Sequence, residues 1–224
     1  MGAAGTWKYW LATASAGQGL LLFGETIRPL VAPAAVWATA RGAKVLVVDA
    51  VGAFDPYHLA REARFRGLVP AKALDQVRVA RAFTCHQLVR LVRESLPAEL
   101  AAIPSPEGGT PPALLLLLGP CSLFYDEQVP LAERRQLFQT LVHGLAQLKP
   151  RATIWLLQPC LPQVIPNRHF GRGLAPLLDI ILELRWGRHG PYLQPRPCLS
   201  HRAGSYTSFS ARGNQPKTDN RKRY

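Results

Sequence analysis

Residues 17–60 decide the fold of this chain: GQGLLLFGETIRPLV (17–31), a helical spacer, and AKVLVVDAVGAFDPYHLA (43–60). Leu20–Phe23 is a short apolar run that leads into a turn at Gly24, and Lys44–Asp49 is a continuous apolar run of the kind that is buried on both faces of a parallel sheet. The order strand, turn, helix, strand is how a phosphate-binding turn is normally placed at the edge of such a sheet. The stretch therefore predicts an α/β fold.

The turn after Gly24 lacks the residues that bind phosphate. A phosphate loop of the form G-x-x-x-x-G-K-[ST] needs a second glycine for backbone approach, a lysine for the outer phosphates and a hydroxyl for Mg²⁺. Counting from Gly24, these positions hold Pro29, Leu30 and Val31. Proline has no N–H to donate, and leucine and valine offer neither a positive charge nor a metal ligand. The sequence predicts a nucleotide-binding scaffold without a nucleotide site, with no bound cofactor and no metal.

Alternation of strands and helices continues beyond this stretch. Val77–Ala82, Ala113–Leu118 and Ala152–Leu157 are predicted strands, and Leu131–Leu148 is a predicted helix with leucines at helical spacing. This alternation favours a mainly parallel central sheet flanked by helices. The short segments Tyr192–Leu199 and Tyr206–Ala211 predict a C-terminal antiparallel extension, after a Pro-, Gly- and Arg-rich mobile loop over 159–173.

Prolines set the other boundaries. Pro29 and Pro33 predict that the first helix starts late, over Ala34–Ala40. Five prolines and two glycines predict a surface loop over Pro97–Pro112, which follows a helix over Cys85–Leu96 that Thr84 caps.

Length and composition predict one domain. A chain of 224 residues with 48% hydrophobic content can bury one good core, so residues 1–212 are expected to form a single domain. Residues 213–224 are polar and end in Arg-Lys-Arg-Tyr, which predicts a disordered basic tail.

The charge and the cysteine content limit the classes of function that this chain can have. With 27 lysines and arginines against 14 acidic residues, the formal charge of +13 favours a polyanionic partner, either nucleic acid or an anionic membrane surface. The longest apolar run is far too short to cross a bilayer, so stable membrane insertion is not expected.

Four widely spaced cysteines without a C-x-x-C pair suggest neither a zinc site nor a disulfide framework. An intracellular protein is expected, in the cytoplasm or nucleoid of a prokaryote or the nucleus of a eukaryote.

Five motifs, in order over Gly17–Gln158, resemble the RecA/RadA recombinase family, most closely its archaeal and eukaryotic branch with its non-catalytic paralogues. The motifs are GQGLLLFGE, VLVVDAVGAFDPYHLAREAR, VRVARAFTCHQLVRLV, LLLLLGPCSLFYDE and LAERRQLFQTLVHGLAQL. The resemblance implies a RecA-like core with a degenerate nucleotide site.

Every position at which this chain departs from the family pattern is one that the family uses for catalysis. The resemblance places the phosphate-loop lysine at Leu30, the Ser/Thr at Val31, the glutamate that activates water at Val51 and the metal-site acid at Gly119. Phosphoryl transfer depends on such groups, which predicts a pseudo-ATPase rather than an enzyme. Gln158 matches the family's nucleotide-sensing position, and its expected role here is local hydrogen bonding.

The resemblance also implies DNA-facing loops after Gly119 and after Gln158. Phosphate-directed charges and one stackable ring are expected in the second loop, at Arg168, His169, Phe170 and Arg172. Arg134 and Arg135 begin the long helix and fit either a DNA contact or a solvated face. Basic residues of the tail would add sequence-independent attraction to phosphates, namely Lys217, Arg221, Lys222 and Arg223.

Three functional hypotheses follow. The first is a catalytically inactive RecA-like protein that assists DNA recombination or repair after DNA damage, and that binds single-stranded DNA together with a RecA-type ATPase or another repair protein. The second is a docking subunit of a larger complex that does not bind DNA. The third is an ATPase with unconventional residues, for which Arg28 and Lys44 are the nearby cations.

Overall fold

The structure is a computed structural model, and it describes residues 17–104, 113–160, 170–188 and 190–196. The strands are β1 (Gly19–Gly24), β2 (Lys44–Asp49), β3 (Val77–Arg81), β4 (Ala113–Leu118), β5 (Thr153–Pro159), β6 (Ile180–Gly187) and β7 (Gly190–Arg196). The helices are α1 (Arg28–Thr39), α2 (Pro56–Phe65), α3 (Pro70–Asp75), α4 (Cys85–Arg90), α5 (Leu96–Ala101), α6 (Leu131–Leu148) and α7 (Phe170–Gly173). A π-helical turn, Leu91–Ser95, joins α4 to α5, and 3₁₀ turns occupy Ser122–Tyr125 and Ala175–Leu177.

The strands form one seven-stranded sheet in the order β3-β2-β4-β5-β1-β6-β7. All neighbouring strands are parallel except β6 and β7, which pair antiparallel. The predicted α/β class, with a mainly parallel sheet and an antiparallel C-terminal extension, is therefore confirmed, and the arrangement is consistent with a RecA-like core. The second predicted extension segment, 206–211, lies outside the described residues, as does the tail.

Helices cover both faces of the sheet because its inner strands are apolar on both sides. Along β4, Leu114, Leu116 and Leu118 face the core shared with α1, α2 and α3, whereas Leu115 and Leu117 face the core shared with α4, α5 and α6. Side chains alternate between the faces of a strand, so an unbroken leucine run fills two cores at once.

Helix α1 corrects the prediction of a late or distorted start. It begins at Arg28 rather than Ala34, and Pro29 occupies its first turn. The first N–H groups of a helix have no partner within it, so Pro29 costs no hydrogen bond there. Pro33 lies inside the helix, which continues through it.

Helix α5 corrects the predicted loop over Pro97–Pro112. Pro97 falls in the first turn of α5, so the chain stays helical to Ala101, while residues 105–112 lie outside the described part. The predicted cap of α4 is confirmed, since the Thr84 hydroxyl accepts the N–H of Gln87 at 3.2 Å.

Strand β3 forms one edge of the sheet, and its burial differs from that of the inner strands. Arg78, Val79 and Arg81 are exposed. Within the described residues, no helix is long and apolar enough to cross a membrane.

Candidate functional site: the carboxyl edge of the sheet

Four parallel strands, β2, β4, β5 and β1, end at the same edge of the sheet in that spatial order. Ligands of open parallel sheets bind in the crevice outside such carboxyl ends. The residues that the sequence assigns to a degenerate nucleotide site lie in the last residues of these four strands or in the segments that follow them, so the structure brings them to one edge.

The turn between β1 and α1 is short and closed. Only Glu25, Thr26 and Ile27 separate Gly24 from the first helical residue. Ile27 is 2% exposed and Val31 is also buried, so both side chains belong to the core. The N–H of Leu30 already donates to the carbonyl of Ile27 at 3.0 Å. Apolar packing thus replaces the loop that would surround a phosphate.

Gly24 is needed for close approach between strands. A Cβ atom there would lie 2.7 Å from the carbonyl oxygen of Leu184 and 2.9 Å from its Cβ. The carbonyl of Gly24 accepts the N–H of Cys160 at 2.6 Å, which joins the ends of β1 and β5. The glycine of the motif therefore serves strand packing against β6 and pairing with β5.

Asp49 ends β2 and organises the loop that follows. This buried carboxylate accepts the N–H groups of Val51 and Ala53 at 3.1 Å and that of Phe54 at 3.0 Å. This role of Asp49 is not among the sequence predictions. The available signal was a lone carboxylate closing an apolar strand before a glycine turn.

Val51 and Gly119 pack directly against each other. Gly119 has a φ of +72°, and a Cβ atom there would lie 2.3 Å from Cγ1 of Val51. These are the positions to which the resemblance assigns the water-activating glutamate and the metal-site acid. A single apolar contact occupies both places, so neither position carries a charge.

Gln158 links the ends of β4 and β5. Its Oε1 accepts the N–H of Cys121 at 2.9 Å, and its Nε2 donates to the carbonyl of Pro159 at 2.9 Å and to the hydroxyl of Ser122 at 3.3 Å. The predicted local hydrogen bonding is confirmed. These three hydrogen bonds hold the loop after β4 against β5.

Phe170 is a correction to the predicted DNA-binding set. It is 7% exposed and packs against Phe124 and Phe138, with ring centroids 5.6 and 5.1 Å away, and against Tyr125 at 5.4 Å. The sequence predicts a ring in a mobile loop, yet Phe170 begins α7 and its burial depends on partners that are distant in the chain. A ring in this position is not available to stack on a base.

The Arg134 side chain also makes contacts within the protein. Its guanidinium donates to the carbonyl of Phe124 at 3.2 Å, and its Nε is buried without a described hydrogen-bond partner. The side chain therefore fastens the start of α6 to the loop after β4. Arg135 and Arg172 are exposed. The remaining predicted DNA contacts, Arg168, His169, Lys217, Arg221, Lys222 and Arg223, lie outside the described residues.

Lys44 does not belong to this site. It begins β2, whereas the carboxyl edge lies beyond Asp49, about 17 Å away at the rise of an extended strand. Arg28 is exposed at the start of α1 and is the nearer of the two cations named for an unconventional ATPase.

The cysteines at this edge are not activated nucleophiles. Burial raises the pKa of Cys121. Burial, followed by the negative charges of Glu183 and Glu25, raises the pKa of Cys160. Thiols with raised pKa values are poor nucleophiles at neutral pH. Among the described residues, no group of three or more His, Cys, Asp or Glu side chains could hold a metal ion.

Fold and site define a mainly parallel α/β protein whose carboxyl edge is closed by apolar contacts and local hydrogen bonds. No protein-family model matches the sequence, and a search of curated proteins gives no significant match.

Proposed function

We propose that this chain is a catalytically inactive RecA-like protein that assists DNA recombination or repair, binding single-stranded DNA and a RecA-type ATPase or another repair protein. The observation that carries the proposal is the contact between Val51 and Gly119 at the carboxyl edge, where an ATPase of this type would need two acidic groups. The formal charge of +13 supports a polyanionic partner.

Exposed arginines near the two loops supply the described part of the DNA contact. Arg135 lies in the first turns of α6 and Arg172 lies in α7, beside the aromatic cluster that joins the loops after β4 and β5. Because Phe170 is buried in that cluster, the described residues of these two loops favour phosphate contacts over base stacking.

Binding of a fluorescent single-stranded oligonucleotide, measured by anisotropy over a series of salt concentrations, tests the DNA part of the proposal. We expect affinity to fall steeply with salt. The Arg135→Ala/Arg172→Ala variant should reduce the slope of log K against log salt by about 0.7 for each phosphate that is no longer neutralised. The matched control is Arg90→Ala/Arg93→Ala, which removes the same charge from exposed positions on α4 and the π-helical turn. Equal effects in both variants, or no salt-dependent binding, would contradict specific use of the loops.

Titration calorimetry with ATP and Mg²⁺ tests the catalytic part. We expect no binding heat, because the β1–α1 turn has only three residues and the side chains of Ile27 and Val31 are packed into the core. ATP binding that Arg28→Ala abolishes would overturn the proposal and favour the unconventional ATPase.

A docking subunit that does not bind DNA is the second candidate. Large exposed apolar side chains favour it, notably Tyr57, Phe65 and Phe83. A partner that stays bound after nuclease treatment, together with absent oligonucleotide binding, would select this function.

A further inference from the structure

Helix α2 carries two aromatic rings on its outermost face. Tyr57 and Phe65 are each 86% exposed, and Arg61 and Arg64 between them are also exposed. The positions i, i+4, i+7 and i+8 fall on one side of a helix, so these four residues form a continuous row about 12 Å long, here called the α2 stripe.

The helix that presents the stripe is firmly anchored. Leu59 and Ala63, on its opposite side, are buried in the core shared with α1 and α3. The Asp55 carboxylate caps its first turn by accepting the N–H groups of Tyr57 and His58 at 2.8 and 3.3 Å. The stripe therefore stands on a fixed element, and its exposure does not come from a frayed end.

The stripe is basic as well as aromatic. The acidic residue within α2, Glu62, pairs with Arg66 at 2.6 Å, and none of the ion pairs among the described residues involves Arg61 or Arg64. Tyrosine and arginine are enriched among the residues that dominate binding energy at protein interfaces.

The shape and the charge of the α2 stripe together indicate which kind of partner it binds. The stripe is a convex ridge, whereas single-stranded nucleic acid is usually bound in a positively charged groove. A ridge on a helix instead matches a groove on another protein. A second copy of this chain is a poor occupant, because each copy has a formal charge of +13 and would place arginine against arginine.

We propose that the α2 stripe inserts into an apolar groove of a different protein whose rim is acidic, with Tyr57 and Phe65 in the groove and Arg61 and Arg64 paired with rim carboxylates. The inference rests on the proposed function in that it identifies the surface used for the protein partner. It does not depend on DNA binding by the loops.

Site-specific photocrosslinking of the full chain in its native cells tests the inference. Phe65 is replaced by p-benzoylphenylalanine, and the control carries the same residue at Gln139, an exposed position on α6. After irradiation and nuclease treatment, we expect a protein adduct from position 65 and none from position 139. Adding Arg61→Glu and Arg64→Glu should lower the adduct yield about tenfold or more, because like charges then face each other.

The decisive experiment exchanges the charges between this chain and its partner. Mass spectrometry locates the crosslinked peptide of the partner, and replacing the acidic residues beside it with lysine should restore the adduct to the Arg61→Glu/Arg64→Glu chain. Absence of an adduct, a yield that charge reversal leaves unchanged, failure of the exchange, or an adduct with a second copy would each overturn the proposal.

A nucleic-acid arm separates this inference from the proposed function. The Tyr57→Ala/Phe65→Ala variant should bind a single-stranded oligonucleotide as tightly as the unaltered chain. A clear loss of oligonucleotide affinity in that variant would make the stripe a nucleic-acid site and overturn the inference, even if the loops also bind DNA. Conversely, absent oligonucleotide binding with a charge-dependent adduct would refute the DNA part alone.

Discussion

Gly119 directly follows β4 and has a φ of +72°, and the methyl groups of Val51 occupy the space in which its side chain would begin. Asp49 holds the Val51 backbone in place through the loop N–H groups that it accepts. The conformation and packing of these three residues at the carboxyl edge therefore depend on one another. Introducing a carboxylate at Gly119 would require both a left-handed backbone and displacement of Val51, so more than one substitution separates this edge from a metal site.

Substituting Gly119 measures this mutual constraint. Gly119→Ala is expected to lower the free energy of unfolding by about 2–4 kcal/mol, which combines left-handed backbone strain with overpacking against Val51. Urea denaturation provides the measurement.

Gly52→Ala is the matched control, because Gly52 also has a positive φ but no atom lies within 4 Å of its added Cβ. The control should cost about 1 kcal/mol. In a Val51→Ala background, the cost of Gly119→Ala should fall towards that of the control, with the Ser122 hydroxyl, 3.0 Å from the added Cβ, as the remaining close contact. Equal destabilisation by Gly119→Ala and Gly52→Ala in the native background would show that packing against Val51 does not matter.

At the scale of elements, apolar runs predicted most of the strands and helices. The bounds of β2 and α6 agree with the sequence prediction to the residue. The prediction is wrong at the start of α1 because it treats proline as a helix breaker, although the first turn tolerates it. The burial of Phe170 could not be foreseen, since its partners come from the 3₁₀ turn after β4 and from α6. Long-range packing of this kind leaves no local pattern in the sequence.

The aromatic cluster makes the loops after β4 and β5 depend on each other. Phe170→Ala should lower the free energy of unfolding by about 3 kcal/mol, because a buried ring is removed from among Phe124, Tyr125 and Phe138. It should also speed proteolytic cleavage near residue 170, which limited trypsin digestion followed by mass spectrometry would detect.

Phe83→Ala is the control, since this ring is 75% exposed and its removal should change stability by no more than about 0.5 kcal/mol. A Phe170→Ala variant that keeps full stability but loses oligonucleotide affinity would restore the ring to the DNA-binding set.

For the whole molecule, one carboxylate at the opposite edge of the sheet joins segments from both ends of the described chain. Asp179 accepts the N–H of Gly19 at 2.7 Å and the ammonium of Lys149 at 2.9 Å. Burial alone would raise its pKa, but these two donors outweigh burial and lower the pKa below its usual value. A carboxylate with a depressed folded-state pKa stabilises the fold above its unfolded pKa, and this stabilisation is lost as the pH falls through the folded value.

Acid sensitivity follows from this arrangement. Asp179→Asn should be less stable than the unaltered chain at pH 7, and its stability should decline less steeply between roughly pH 5 and pH 2. Urea denaturation at a series of pH values provides the comparison, with Asp75→Asn, an exposed carboxylate at the end of α3, as the control. Parallel pH profiles for Asp179→Asn and the unaltered chain would exclude this role.

The strand order leaves β3 with a neighbour on one side only among the described strands. An unpaired strand edge is a template for joining sheets from separate molecules, and charged side chains are a usual protection against such joining. Arg78 and Arg81 are exposed on this strand beside the apolar Val79. We expect repulsion between such charges to oppose edge-to-edge pairing of neighbouring molecules. Because salt screens that repulsion, the protein should store best at low ionic strength and be most prone to aggregate in concentrated salt.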